Sequence, residues 1–139
     1  MNDSSLSLDT GQLSVEQINI MLKHLPVDVS FVDASDELRY YSDTPQRIFA
    51  RTPAVIGRKV QNCHPPKSVH VVQKIIDAFR AKEKDTAEFW IELKGRFIHI
   101  RYFAMRDKEG NYRGTLEVSQ DVTEIRKLEG ERRLLDWED

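Results

Sequence analysis

The chain has 139 residues, enough for one domain with its own core and no need of disulfides or metals to staple it. Apolar residues make up 40% and charged residues 32%, a balance that excludes intrinsic disorder. The 21 basic and 23 acidic residues give a net charge of -2 and are spread along the chain, so nucleic acid is not an expected partner, and no apolar run approaches the length of a membrane span. The polar, acidic start is unlike a signal peptide and the lone Cys63 forms no internal disulfide, so the expectation is a cytoplasmic protein.

In chain order, residues 1–13 read as a flexible leader or linker. The folded part is expected at 14–136. Ser14 with Gln17 three positions on is a capping box, and Ile18, Met21, Leu22 and Leu25 then form the apolar stripe of a helix over 14–24 that Pro26 stops. Residues 27–33 and 37–42 alternate as strands around a polar turn. Residues 44–50, with Pro45 at the first helical position, predict a short helix, and Thr52-Pro53 a further helical turn that ends near Gly57. Val69, Val72, Ile75, Ile76 and Phe79 then recur at helical spacing and mark the main helix.

Three strands follow at 86–93, 96–106 and 112–120, joined by Lys94-Gly95 and by 107–111 as an antiparallel meander. Asp121 with Glu124 predicts a capped amphipathic helix over 121–136, whose apolar side is Ile125, Leu128 and Leu135. The sum is an α+β fold: a five-stranded antiparallel sheet, helices crossing one face, and amphipathic flanking helices.

Several spaced motifs carry a resemblance. Val55-Ile56-Gly57-Arg58 before the main helix, Asp107-Lys108-Glu109-Gly110 followed by Gly114, and the closing Gln120-Asp121-Val122-Thr123-Glu124 resemble a PAS domain over 14–136. The stretches 62–70 and 131–137 are similar to a bacterial subfamily in which the PAS domain ends a chain that carries a hemerythrin-like domain upstream. The resemblance implies a sensory and signal-relay module with a small-ligand pocket between main helix and sheet, and no catalysis.

Candidate site residues follow from residue types and from that resemblance. Cys63, His64 and His70 offer sulfur and nitrogen to a metal such as zinc; equally, the first two shape a loop before Pro65 and Pro66 while His70 faces solvent. Haem-binding members of the family take an axial histidine from the main helix. The neighbours of His70 on its helical face, Gln73, Lys74 and Asp77, are polar and turn it outward in a regular helix, so haem binding requires either an irregular start of the helix after Pro66 or His64 in its place. A flavin adduct is disfavoured, because Val60 stands three residues after Gly57 where light sensors of the family have a cysteine.

On the 96–106 strand, Ile98, Ile100, Tyr102 and Ala104 alternate with Phe97, His99, Arg101, Phe103 and Met105. The analogy with PAS strands assigns the first set to the pocket, with Trp90, Ile100, Tyr102, Gln120 and His64 as ligand-binding residues. Phe97, Phe103 and Met105 then join Ile18, Met21 and Leu22 as a homodimer interface. Gln120 is placed with Leu116 and Val118 as a polar group in an apolar wall, and Gln120, Trp90 and Tyr102 each also have an ordinary structural reading. The chain holds no glycine-rich phosphate loop, and its last predicted helix has no histidine to accept phosphate. Three functions therefore stand together: a ligand-binding relay module, a haem or metal sensor, and a ligand-free dimerisation module.

Overall fold

The computed structural model describes residues 4–137. Its elements in order are β1 Ser5–Leu8, β2 Gly11–Ser14, α1 Val15–His24, β3 Asp28–Asp33, β4 Leu38–Tyr41, α2 Pro66–Arg80, β5 Thr86–Leu93, β6 Arg96–Arg106 and β7 Tyr112–Asp121, with 3-10 turns at Pro53–Val55, Val60–Asn62 and Ile125–Lys127. The five-stranded sheet runs β4-β3-β7-β6-β5, antiparallel throughout. Among the described residues no helix is long and apolar enough to cross a membrane.

Local chemistry explains the elements. Ser14 Oγ accepts from the Gln17 amide and Gln17 Oε1 from the Ser14 amide, closing the box at the start of α1. Pro66 occupies the first turn of α2, where a missing N–H costs nothing. Lys94 and Gly95, with φ of 51° and 80°, make the two-residue turn whose twist matches the β5/β6 hairpin. Asp107 Oδ1 accepts from the amides of Glu109 and Asn111 and so folds the β6/β7 turn. Gly114, at φ 142°, lies where an added Cβ would sit 2.3 Å from the Val32 carbonyl oxygen, so the crossing of β7 and β3 demands glycine.

The core lies between α2 and one sheet face: Val32, Leu38, Val60, Val72 and Ile76 form one buried cluster with Val55 against it, and Phe79, Ile98 and Ile100 are buried as well. This is the inner face.

Three expectations are corrected. Residues 5–14 are a hairpin, not a flexible leader: Leu6 pairs with Leu13 and Gly11, at φ 105°, turns the chain. Residues 1–3 of that predicted leader lie outside the described residues. Residues 44–50 form no helix, because Asp28 draws in the Thr44 hydroxyl and the Ile48 amide while Arg47 donates to the carbonyls of Ser42 and Phe49. Residues 121–136 form no long helix: Asp121 closes β7, and the one helical piece that follows among the described residues is the 3-10 turn Ile125–Lys127. Asp121 Oδ1 accepts from the amide and hydroxyl of Thr123, at 3.0 and 2.6 Å, and Thr123 Oγ1 accepts from the Phe97 amide at 2.8 Å, so the motif clasps the end of β7 to the start of β6. Beyond it Leu128, Leu134 and Leu135 are exposed, and a short amphipathic segment containing Gly130 has no packing to hold it helical.

Candidate functional site

Register decides which side chains meet beneath α2. On β6 and β7, Ile98 pairs with Asp121, Ile100 with Ser119, Tyr102 with Glu117 and Ala104 with Thr115. Partners directly opposite share a face, so the β7 residues on the inner side are Thr115, Glu117 and Ser119. Leu116, Val118 and Gln120 project from the outer face, opposite Phe103, Arg101 and His99. On β5, Ala87, Phe89 and Ile91 are inner and Trp90 is outer.

The inner face therefore carries a polar centre. Tyr102 Oη donates to Glu117 Oε2 at 2.9 Å, and an Arg51 guanidinium nitrogen lies 3.7 Å from Glu117 Oε1. The Arg51 and Glu117 side chains are only 14% and 17% exposed. Arg51 Nε is buried with no acceptor among the described residues. One layer along, Arg47 donates to Ser30 Oγ and to the Ser42 and Phe49 carbonyls, each at 2.9 Å. Burial, reinforced by the Glu117 charge and the hydrogen bond to it, holds the Tyr102 phenol far above the usual tyrosine range, so it remains a donor.

Between this centre and α2 is a cavity of about 20 Å³ lined by Val32, Val60, Val72, Ile75, Ile76, Tyr102, Thr115 and Glu117. That space accommodates about one water molecule, for which about 10–15 Å³ suffices. A haem or a flavin does not fit these residues as they are packed. The helix face turned to the cavity offers Val72, Ile75 and Ile76 and no imidazole.

The predicted residues divide accordingly. Ile100 and Tyr102 are on the inner face as expected. His64 is half-buried just before α2. Burial depresses its imidazole pKa; Glu117 opposes that shift and Arg51 adds to it, which puts the ring in their electrostatic field. Gln120 and Trp90 are corrections. Both belong to the outer face, Trp90 is 61% exposed, and each is aligned with His99.

The thiol of Cys63 lies 3.6 Å from the Lys59 carbonyl and His70 is exposed. Among the described residues Cys63, His64 and His70 do not form a group able to hold a metal ion. Of the outer residues, Phe97 lies under the Arg126 guanidinium at 3.7 Å, Phe103 is half-buried and Met105 is 38% exposed. On α1, Met21 is 52% exposed while Ile18 and Leu22 are half-buried.

Sequence reasoning missed Glu117, Arg51 and Thr115. The signal is present in the strict alternation of Thr115, Glu117 and Ser119 with Leu116 and Val118, but hydrophobicity alone assigns the apolar set to the inner side.

An antiparallel five-stranded sheet with an irregular crossing segment and one long helix over a small internal cavity defines a class of α+β domains. A PAS-domain family model matches residues 18–123, and the chain belongs to the PAS domain family. A crystal structure of a C-terminal domain from Streptococcus mutans is 36% identical, with a TM-score of 0.85 over 91% of this chain and 98% of that one. The PAS domain of a Colwellia psychrerythraea protein, 16% identical, has a TM-score of 0.56 over 79% of this chain and 98% of its own. A sensory box sensor histidine kinase from Vibrio cholerae, 14% identical, has a TM-score of 0.55 over 76% and 89%. The last two show the fold alone. No curated protein gives a match. PAS domains are typically sensory, non-catalytic modules, and membership of the family makes the chain a sensory or signalling module.

Proposed function

We propose that the chain senses a small ligand between α2 and the inner sheet face and relays its presence through the terminal segments. The observation that carries this reading is Glu117, a carboxylate turned into the core from the central strand and held by Tyr102 and Arg51. Apolar packing in place of such a cluster is often neutral or stabilising, so its presence argues for a role other than stability. Glu117 and the unmatched Arg51 N–H give a ligand both an acceptor and a donor.

Pockets for organic ligands measure about 300–1,000 Å³, so uptake at this site requires α2 or the crossing segment 42–65 to move. That movement is the relay: a ligand with affinity only for the opened arrangement shifts the population towards it. Native mass spectrometry of the purified protein tests the proposal. A bound mass beyond the polypeptide, diminished in Glu117→Ala, is expected. A wild-type native mass equal to the polypeptide mass in every preparation overturns it.

A homodimer is the second reading, supported by an α1 with no buried residue and with Val15, Ile20 and Met21 exposed, as is Leu25 just after its end. For context we adopt the arrangement suggested by residues 62–70 and 131–137, a C-terminal PAS module preceded by a hemerythrin-like domain. The Streptococcus mutans relative is itself described as a C-terminal domain.

A further inference from the structure

Inner residues of a sheet are normally covered, yet Phe89 and Ile91 on the edge strand β5 are 37% and 39% exposed. The helix α2 approaches β7 most closely, and the β5 side of the inner face is left partly open, as the exposure of Phe89 and Ile91 shows. The result is a groove of about 410 Å³ between α2 and β5, within the size range of small-ligand sites. Its floor is apolar: Val71, Ile75, Ala78, Phe79, Ala87 and Phe89. Lys74 and Lys84 form its rim, both without a side-chain partner among the described residues. His70 is also on the rim, and the one acidic residue of the lining, Glu88, has its carboxylate bonded to His99 on the opposite face.

We infer that this groove binds an amphipathic small molecule, an apolar body with an anionic head, of which a medium-chain fatty carboxylate is the simplest representative. The apolar floor takes the chain and the two ammonium groups take the head. Ile75 lines both the groove and the internal cavity, so its side chain borders both. Phe89 meets Tyr102 edge to face at 5.9 Å and 84°, and Tyr102 in turn holds Glu117. A molecule seated on Phe89 and Ile75 therefore touches the two side chains that border the polar centre. The inference supplies an entrance and a ligand class for the sensory input, and to that extent rests on that reading. Binding in the groove itself needs no contribution from Glu117.

Decanoate and 1-decanol, which share the apolar body and differ in the charged head, are the probes. Each is titrated into the isotope-labelled chain and followed by amide chemical shifts. Saturable shifts at Val71, Ile75, Ala78, Ala87 and Phe89 are expected, with decanoate bound about three- to tenfold more tightly than decanol. That preference disappears in the Lys74→Gln/Lys84→Gln variant. Equal affinities for the two probes, or shifts centred elsewhere, overturn the inference. In Glu117→Gln, unchanged decanoate affinity supports a groove site whatever the fate of the inner cluster as a sensor, whereas lost affinity overturns the groove as the binding site.

Discussion

Breaking the Tyr102–Glu117 contact in steps tests whether the inner cluster acts as a unit. A hydrogen bond to a charged acceptor contributes about 1.5–3 kcal/mol and a neutral one about 0.5–1.5 kcal/mol. Glu117→Gln preserves the shape but leaves only a neutral acceptor for Tyr102 and removes the charge facing Arg51 across 3.7 Å in a part-buried setting. The expected cost is about 2–3 kcal/mol. Tyr102→Phe leaves Glu117 with Arg51 alone and is expected to cost about 1.5–2.5 kcal/mol. The shared bond is lost only once in the double variant, so the double cost falls short of the sum by about 1–2 kcal/mol. Urea unfolding at pH 7, followed by far-UV circular dichroism, measures all four corners of the cycle. Additivity to within about 0.5 kcal/mol refutes the cluster as a coupled unit. The apolar replacement Arg51→Met/Tyr102→Phe/Glu117→Leu should stay within about 1 kcal/mol of wild type, because no buried charge is then left without a partner. A loss far larger than that would make the cluster structural and remove the case for a sensory role.

Gly114→Ala should destabilise by about 2–5 kcal/mol, since its Cβ meets the Val32 carbonyl at 2.3 Å and Phe31 Cε1 at 2.7 Å on a positive-φ backbone; a urea midpoint near wild type would contradict the geometry. Burial lowers the His64 pKa below its unfolded value of about 6.5, so the unfolded chain takes up its proton first as pH falls. Stability contributed by the neutral ring is complete above about pH 6.5 and declines below it, and unfolding at pH 7.5 and 5.5 should show a smaller decline in His64→Gln than in wild type. Thr123→Val should speed hydrogen exchange at the Phe97 amide, whose acceptor is Thr123 Oγ1; unchanged protection there would refute the clasp. Light scattering at tens of micromolar should report a dimer that Met21→Glu weakens, and a clean monomer for the wild type would end that reading.

The strands β5 and β6 were legible to the residue, because alternation on both sides of Lys94-Gly95 leaves one register for the hairpin. The helix α2 was legible from its apolar spacing, although its true start at Pro66 precedes the first apolar position. The orientation of β7 was not. Val29 and Val118 on the outer face are 8% and 9% exposed, nearly as covered as the inner residues, so hydrophobicity alone does not say which side of a central strand faces the helix. Pairing with β6 says it, and pairing is a long-range property. The last predicted helix failed for a related reason: Ile125, Leu128 and Leu135 have helical spacing but are exposed, with no packing surface among the described residues, while Asp121 is drawn to Thr123.

That same strand ties the polar centre to the ends of the chain. Glu117, Ser119 and Asp121 share a face of β7, and at about 3.3 Å per residue the Cα positions of the first and last stand about 13 Å apart along the central strand. Asp121 holds Thr123, Thr123 holds the Phe97 amide, and Arg126 caps the Phe97 ring, so the strand's last residue anchors the departing C-terminal segment. The exit of α1 reaches the same place, since Lys23 and Leu25 line one groove together with Arg96, Ser119 and Asp121. A displacement of β7 at Glu117 therefore arrives where the incoming helix and the outgoing segment meet. Under the proposed sensory reading, the Asp121–Thr123–Phe97 clasp is the contact at which a small movement of the strand would reach the tail, since each of its hydrogen bonds tolerates little displacement before it is lost.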